Sequence, residues 1–93
     1  MTDKEFLEKI YGVAEQLRER SLTELEKTSI IEYFNAGQGS SFEKAKYAIK
    51  KVTGQIVPDS FRAIESTGSI NNLQILVAEM KTAAEKWSKS KNE

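Results

Sequence analysis

"NNLQILVAEMKTAAEKW", residues 71–87, holds the most regular apolar pattern in the chain, and its reading decides the fold class. Leu73, Leu76, Val77, Met80, Ala84 and Trp87 recur at three- and four-residue steps, which places them on one stripe of a helix. Asn71 reads as the N-cap and Gln74 as its capping-box partner. Ile75 lies off the stripe, but Ile70 and Ile75 occupy the two positions of a hydrophobic staple around that cap.

Working outward, the rest of the chain repeats this helical theme. Thr2 with Glu5 forms a capping-box pattern ahead of Phe6, Ile10, Val13 and Leu17, so a first helix begins near the N-terminus. Arg18 and Arg20 lie near its end, where cations suit the carbonyl pole of the dipole. A second helix starts in "SLTELEK", residues 21–27, where Ser21 with Glu24 and Thr23 with Glu26 offer two overlapping boxes. Its apolar residues, from Leu22 to Phe34, spread over roughly two thirds of the circumference. That breadth predicts a central helix with several neighbours.

Gly37 and Gly39 end the second helix, and Ser40 with Glu43 opens a third that carries Phe42, Ala45, Ala48, Ile49 and Val52 and stops at Gly54. Ile56 and Val57 should turn into the core. Pro58 suits the first turn of a short fourth helix that buries Phe61 and Ile64 and ends at Gly68. The expected fold is all-α: a compact bundle of four to five short helices in a single domain, with the second and last helices at its centre. Residues 1–87 form this domain, and residues 88–93, with nothing apolar to bury, are expected to fray.

Composition then narrows the chemistry. The 93 residues contain 14 Lys plus Arg and 14 Asp plus Glu, so no net charge steers the chain toward nucleic acid or an anionic membrane. There is no cysteine and no histidine, which removes thiolate nucleophiles, zinc-thiolate sites, imidazole bases and imidazole metal ligands together. The N-terminal stretch mixes charges into its apolar positions, unlike a signal peptide. The longest aliphatic run, "ILVA" at residues 75–78, falls far short of the ~20 residues that span a bilayer. A cytoplasmic protein without membrane insertion is expected.

"FNAGQGSSFEKAKYAIKK", residues 34–51, has glycines and serines ahead of lysines and invites comparison with a phosphate-binding loop. A P-loop needs G-x-x-x-x-G-K-[ST] after a strand; here the glycines stand one residue apart, no lysine follows, and a helix precedes. Ser41 to Lys44 matches S-x-x-K, but the companion motifs and large mixed fold of that serine chemistry are absent. Glu24 and Glu26 point to different sides of a helix, and Asp3, Glu5 and Glu8 line an exposed first turn, so no carboxylate pair for hydrolysis or metal binding emerges. No enzyme activity, cofactor or metal site is expected. Glu26 alone projects into an apolar arc, and its place in a capping box accounts for it better than a tuned catalytic acid does.

What remains is the third helix. Lys44, Lys46, Lys50 and Lys51 against Glu43 give it a local charge of +3, while the second helix carries −2. Ion pairing between the two helices would absorb these charges. The sharper reading makes Lys44, Lys46, Tyr47, Lys50 and Lys51 a contact surface for a partner or for phosphate. A helix-turn-helix reading of residues 22–54 fits poorly, because the helix after Gly54 holds one cation, Arg62, against Asp59 and Glu65.

"KEFLEKI" followed by "ELEKTSIIEYF" resembles the opening of a small helical domain found ahead of membrane proteins in Gram-positive bacteria, though the spacing is longer and the later glycine-acid segments do not follow. In size and helix count the chain is similar to bacteriocin immunity proteins. No functional residue carries over from either. The favoured expectation is a small, non-catalytic protein-binding or regulatory module of bacterial or phage type that docks on another protein. The alternative is a nucleic-acid-binding accessory protein using the lysine face of the third helix. Homo-oligomerisation through leftover apolar surface such as Tyr11 or Tyr47 is the third reading.

Overall fold

Three helices begin where a side chain closes the first turn. The Glu5 amide donates to Thr2 Oγ1 at 3.1 Å, and Glu5 Oε1 accepts from the Thr2 amide at 2.9 Å. Thr23 and Glu26 repeat this box at 3.1 and 2.9 Å, which settles the register left open by the overlapping boxes. The Glu43 amide donates to Ser40 Oγ at 3.2 Å. The structure, a computed structural model, describes residues 1–57 and 72–91, and within them four helices follow in order. They are α1 (Asp3–Arg18), α2 (Glu24–Ala36), α3 (Ser41–Thr53) and α4 (Asn72–Lys91). The fourth helix expected from the sequence, its Pro58 start and the Asn71 cap with its Ile70 staple lie outside the described residues.

α1 and α4 pack antiparallel along their length. Trp87 Nε1 donates to Asp3 Oδ1 at 2.8 Å, Lys9 meets Glu79 at 3.5 Å, and Gly12 lies against Leu76. The stripe of each helix is used as the periodicity predicts: Phe6, Ile10 and Val13 from α1, and Val77, Met80 and Ala84 from α4, are buried. α2 and α3 form the second pair. Gly37 permits their close approach, since a Cβ there would stand 3.3 Å from Tyr47 Cδ2 and 3.4 Å from Lys44 Cγ. Gly39 adopts φ +96°, a left-handed conformation that a side chain would strain.

The expected centre of the bundle is corrected in one respect. α3, not α2, touches each of the other three helices, whereas α2 packs chiefly on α3. α2 buries only Ile30 and Phe34, and leaves Leu25 77% exposed with Ile31 and Tyr33 half open. A broad apolar arc needs neighbours on several sides, and among the described residues α2 has one principal neighbour. Its one deep reach is Phe34, whose ring meets Phe6 of α1 at 5.6 Å and Trp87 of α4 at 5.7 Å, both edge-on.

One local expectation changes as well. Val57 enters the core, 3% exposed, but Ile56 stays out at 73%. α4 runs on past Trp87 to Lys91. Polar contacts hold that end without apolar burial: Ser88 Oγ lies 2.5 Å from Ser41 Oγ, and Lys91 Nζ lies 3.0 Å from Asp3 Oδ1.

Candidate interaction surface

The lysines of α3 divide between two edges. Lys44, Tyr47 and Lys51 recur at three- and four-residue steps and share the edge beside α2. There Lys44 Nζ lies 5.6 Å from the centre of the Phe34 ring, and Lys51 Nζ lies 5.6 Å from that of Tyr47. Tyr47 in turn meets Tyr33 of α2 edge-on at 6.1 Å and remains 39% exposed. Lys46, one turn before the exposed Lys50, lies on the other edge, toward α4. Lys46 Nζ stands 4.9 Å from the Phe42 ring centre, and Lys81 of α4 approaches the same ring at 5.8 Å. The five candidates are thus brought onto one helix but not into one patch.

The charges of α2 and α3 do not neutralise one another directly. Among the described residues no ion pair joins these two helices, and Lys44 and Lys51 rest on aromatic faces instead. Such contacts are worth about 0.5–1 kcal/mol at exposed sites, comparable to the surface ion pairs they replace.

Glu26 shows what a short sequence motif conceals. Besides closing its cap, it receives both guanidinium nitrogens of Arg20 at 2.9 Å and Arg18 Nη2 at 2.8 Å. Arg18 Nη2 also donates to the Val52 carbonyl at 2.9 Å, so the end of α1, the start of α2 and the end of α3 meet at one carboxylate. The Arg20 hydrogen bonds, followed by the Thr23 amide, lower the Glu26 pKa from 4.5 to about 2. A carboxylate that far below neutrality is a poor proton acceptor, so its geometry serves as a clamp and not as general acid–base machinery. The sequence placed Arg18 and Arg20 as dipole-compensating cations; their convergence on Glu26 depends on the turn between α1 and α2.

Two open features complete the surface. Leu25 projects from α2 almost unburied, with Ile31 and Tyr33 partly exposed on the same helix and the exposed acids Glu24 and Glu32 nearby. Between the start of α3 and the second half of α4 runs a groove of about 430 Å³, bordered by Phe42, Lys81, Ala84 and Lys89. The apolar pattern assigned Phe42 to the core, and the groove explains why it is only half-buried. Among the described residues no group of three or more acidic side chains is placed to hold a metal ion, and no helix is long and apolar enough to cross a membrane.

No protein-family model, curated protein or solved structure matches this chain.

Proposed function

We propose that this chain is a non-catalytic module that acts by docking on a protein partner through the outward face of α2. The observation that carries the reading is Leu25, a large aliphatic side chain 77% exposed on a well-capped helix. Single exposed apolar residues are common, but here Ile31 and Tyr33, each a little over a third exposed, border the Leu25 face on its two sides. Glu24 and Glu32 set acids on this face, so the partner it suits has an apolar patch edged by lysine or arginine.

The test is affinity capture from cells that express the protein, comparing the native chain with Leu25→Glu by quantitative mass spectrometry. A partner recovered by the native chain and lost with Leu25→Glu, at unchanged melting temperature, supports the α2 face. Equal recovery by both chains refutes it.

Nucleic-acid binding is the second reading, favoured by the alignment of Lys44, half-exposed Tyr47 and Lys51 on one edge of α3. Phosphate contacts make binding fall steeply with salt. Affinity for generic duplex DNA that drops with salt and disappears in a Lys44→Glu, Lys51→Glu double variant would support it; absence of binding at low salt would eliminate it.

A further inference from the structure

The groove between α3 and α4 lies apart from the α2 face and has a different chemical character. Its floor comes from the Phe42 ring and from Ala84, whose small side chain leaves space between the helices. Ser41 and Ser88, at one end of the groove, satisfy each other through their hydroxyls at 2.5 Å, so neither offers an orphan polar group. At about 430 Å³ the space falls within the range of pockets that take a ligand-sized group, which is roughly 300–1,000 Å³.

The rim supplies the specificity. Lys81, Glu85 and Lys89 follow one another at four-residue steps along α4 and all border the groove. Lys81 Nζ stands 5.8 Å from the centre of the Phe42 ring, and Lys46 Nζ of α3 stands closer, at 4.9 Å, so two cations gather at the Phe42 end of the groove. Lys89 sets a third at the other end of the α4 row, with Glu85 between it and Lys81. This alternation discriminates between polyanions. A phosphate backbone has no hydrogen-bond donors and would be repelled by Glu85 in mid-groove. A peptide can lay carboxylates against the two lysines and turn a main-chain N–H toward Glu85.

We infer that this groove binds a short acidic peptide segment of a partner protein, with one large apolar side chain seated on Phe42 and Ala84 and carboxylates on either side meeting Lys81 and Lys89. The site is independent of α2 docking, so either proposal can fail without the other.

The probe is a fluorescein-labelled synthetic hexapeptide with a leucine–phenylalanine centre flanked by two glutamates on each side. A control peptide replaces the glutamates by lysines, and an oligothymidylate serves as the nucleic-acid arm. Anisotropy should show saturable binding of the acidic peptide below about 1 mM that weakens with salt, and little binding of the lysine-flanked peptide. Lys81→Glu with Lys89→Glu should lower affinity about tenfold or more, since both are exposed side chains whose charge faces the ligand. Amide shifts in a nitrogen–proton correlation spectrum should concentrate on residues 41–46 and 81–89. The inference is overturned by equal affinity for both peptides, by tighter binding of the oligonucleotide at the same amides, by no binding at about 1 mM, or by shifts confined to α2.

Discussion

α1 and α2 are both amphipathic helices opened by a threonine–glutamate box, yet the molecule uses them differently. α1 keeps its apolar residues on one side, and its buried residues Phe6, Ile10, Val13 and Ala14 all lie there. α2 has apolar residues around most of its circumference, and only Ile30 and Phe34 are buried. The lesson is that a one-sided stripe identifies its own contact face because the rest of the helix has nothing to bury. A broad one leaves the choice of face to the neighbours. On α2 that choice strands Leu25, and the stranded surface is what suggests a partner.

The sharpest way to break this comparison is at Phe34. Although α2 is peripheral, Phe34 is 7% exposed and meets aromatic rings from α1 and α4, so it joins α2 to the core of the other pair. Phe34→Ala should destabilise the protein by about 3–5 kcal/mol in urea unfolding, the usual cost of deleting a buried phenylalanine. A loss below about 1 kcal/mol would mean that α2 contributes little to the cooperative unit.

Next in size is the cap that fixes where α2 begins. Thr23→Ala removes the acceptor for the Glu26 amide and should cost about 1 kcal/mol. The same substitution at Thr2 tests whether α1 depends equally on its box, which binds Glu5 with similar geometry. A much larger loss at Thr23 would show that its cap is coupled to the arginine clamp, because Glu26 serves both and Glu5 serves only one.

That clamp also carries a pH signature. The Glu26 carboxyl titrates at about 2 in the folded chain against an ordinary value of 4.5, so the folded state binds its proton more weakly than the unfolded state. Its stabilisation is therefore complete above pH 4.5 and is lost as pH falls toward 2. Asp3 and Glu5 are also lowered, by the Trp87 and Thr2 hydrogen bonds respectively, and contribute in the acid range with the same sign. Comparing native protein with Glu26→Gln isolates the clamp: the stability difference should shrink between pH 4.5 and 2 and be constant above. A pH-independent difference would remove the electrostatic account.

Much of this architecture was legible because its causes are local. The Thr2, Thr23 and Ser40 caps depend on residues three apart, and the stripes of α1 and α4 on spacings within one helix. The division of the α3 lysines was readable too: Lys44 and Lys51 stand two turns apart, while Lys46 falls on another edge. Tertiary features were not legible. Arg18 and Arg20 meet Glu26 only because the chain reverses after α1, and Lys81 reaches Phe42 only because α3 and α4 lie side by side. The same holds for the end of α4, where Ser88 and Lys91 find Ser41 and Asp3 far away in sequence.

The smallest expected effect is the one that most sharpens the contrast between α1 and α2. Leu25 and Ile10 are both aliphatic residues on capped helices, but Ile10 is 0% exposed and Leu25 is 77% exposed. Ile10→Ala should cost about 2–5 kcal/mol through lost burial and the cavity it leaves. Leu25→Ser removes little buried area, and serine lowers helix propensity only slightly, so the change should stay within about 0.5 kcal/mol. Near-neutrality at Leu25 would show that folding does not need a leucine there and that the α2 face is free for contact with another molecule. A Leu25→Ser loss above about 1 kcal/mol would instead place Leu25 in intramolecular packing, and the α2 face would cease to be a free surface.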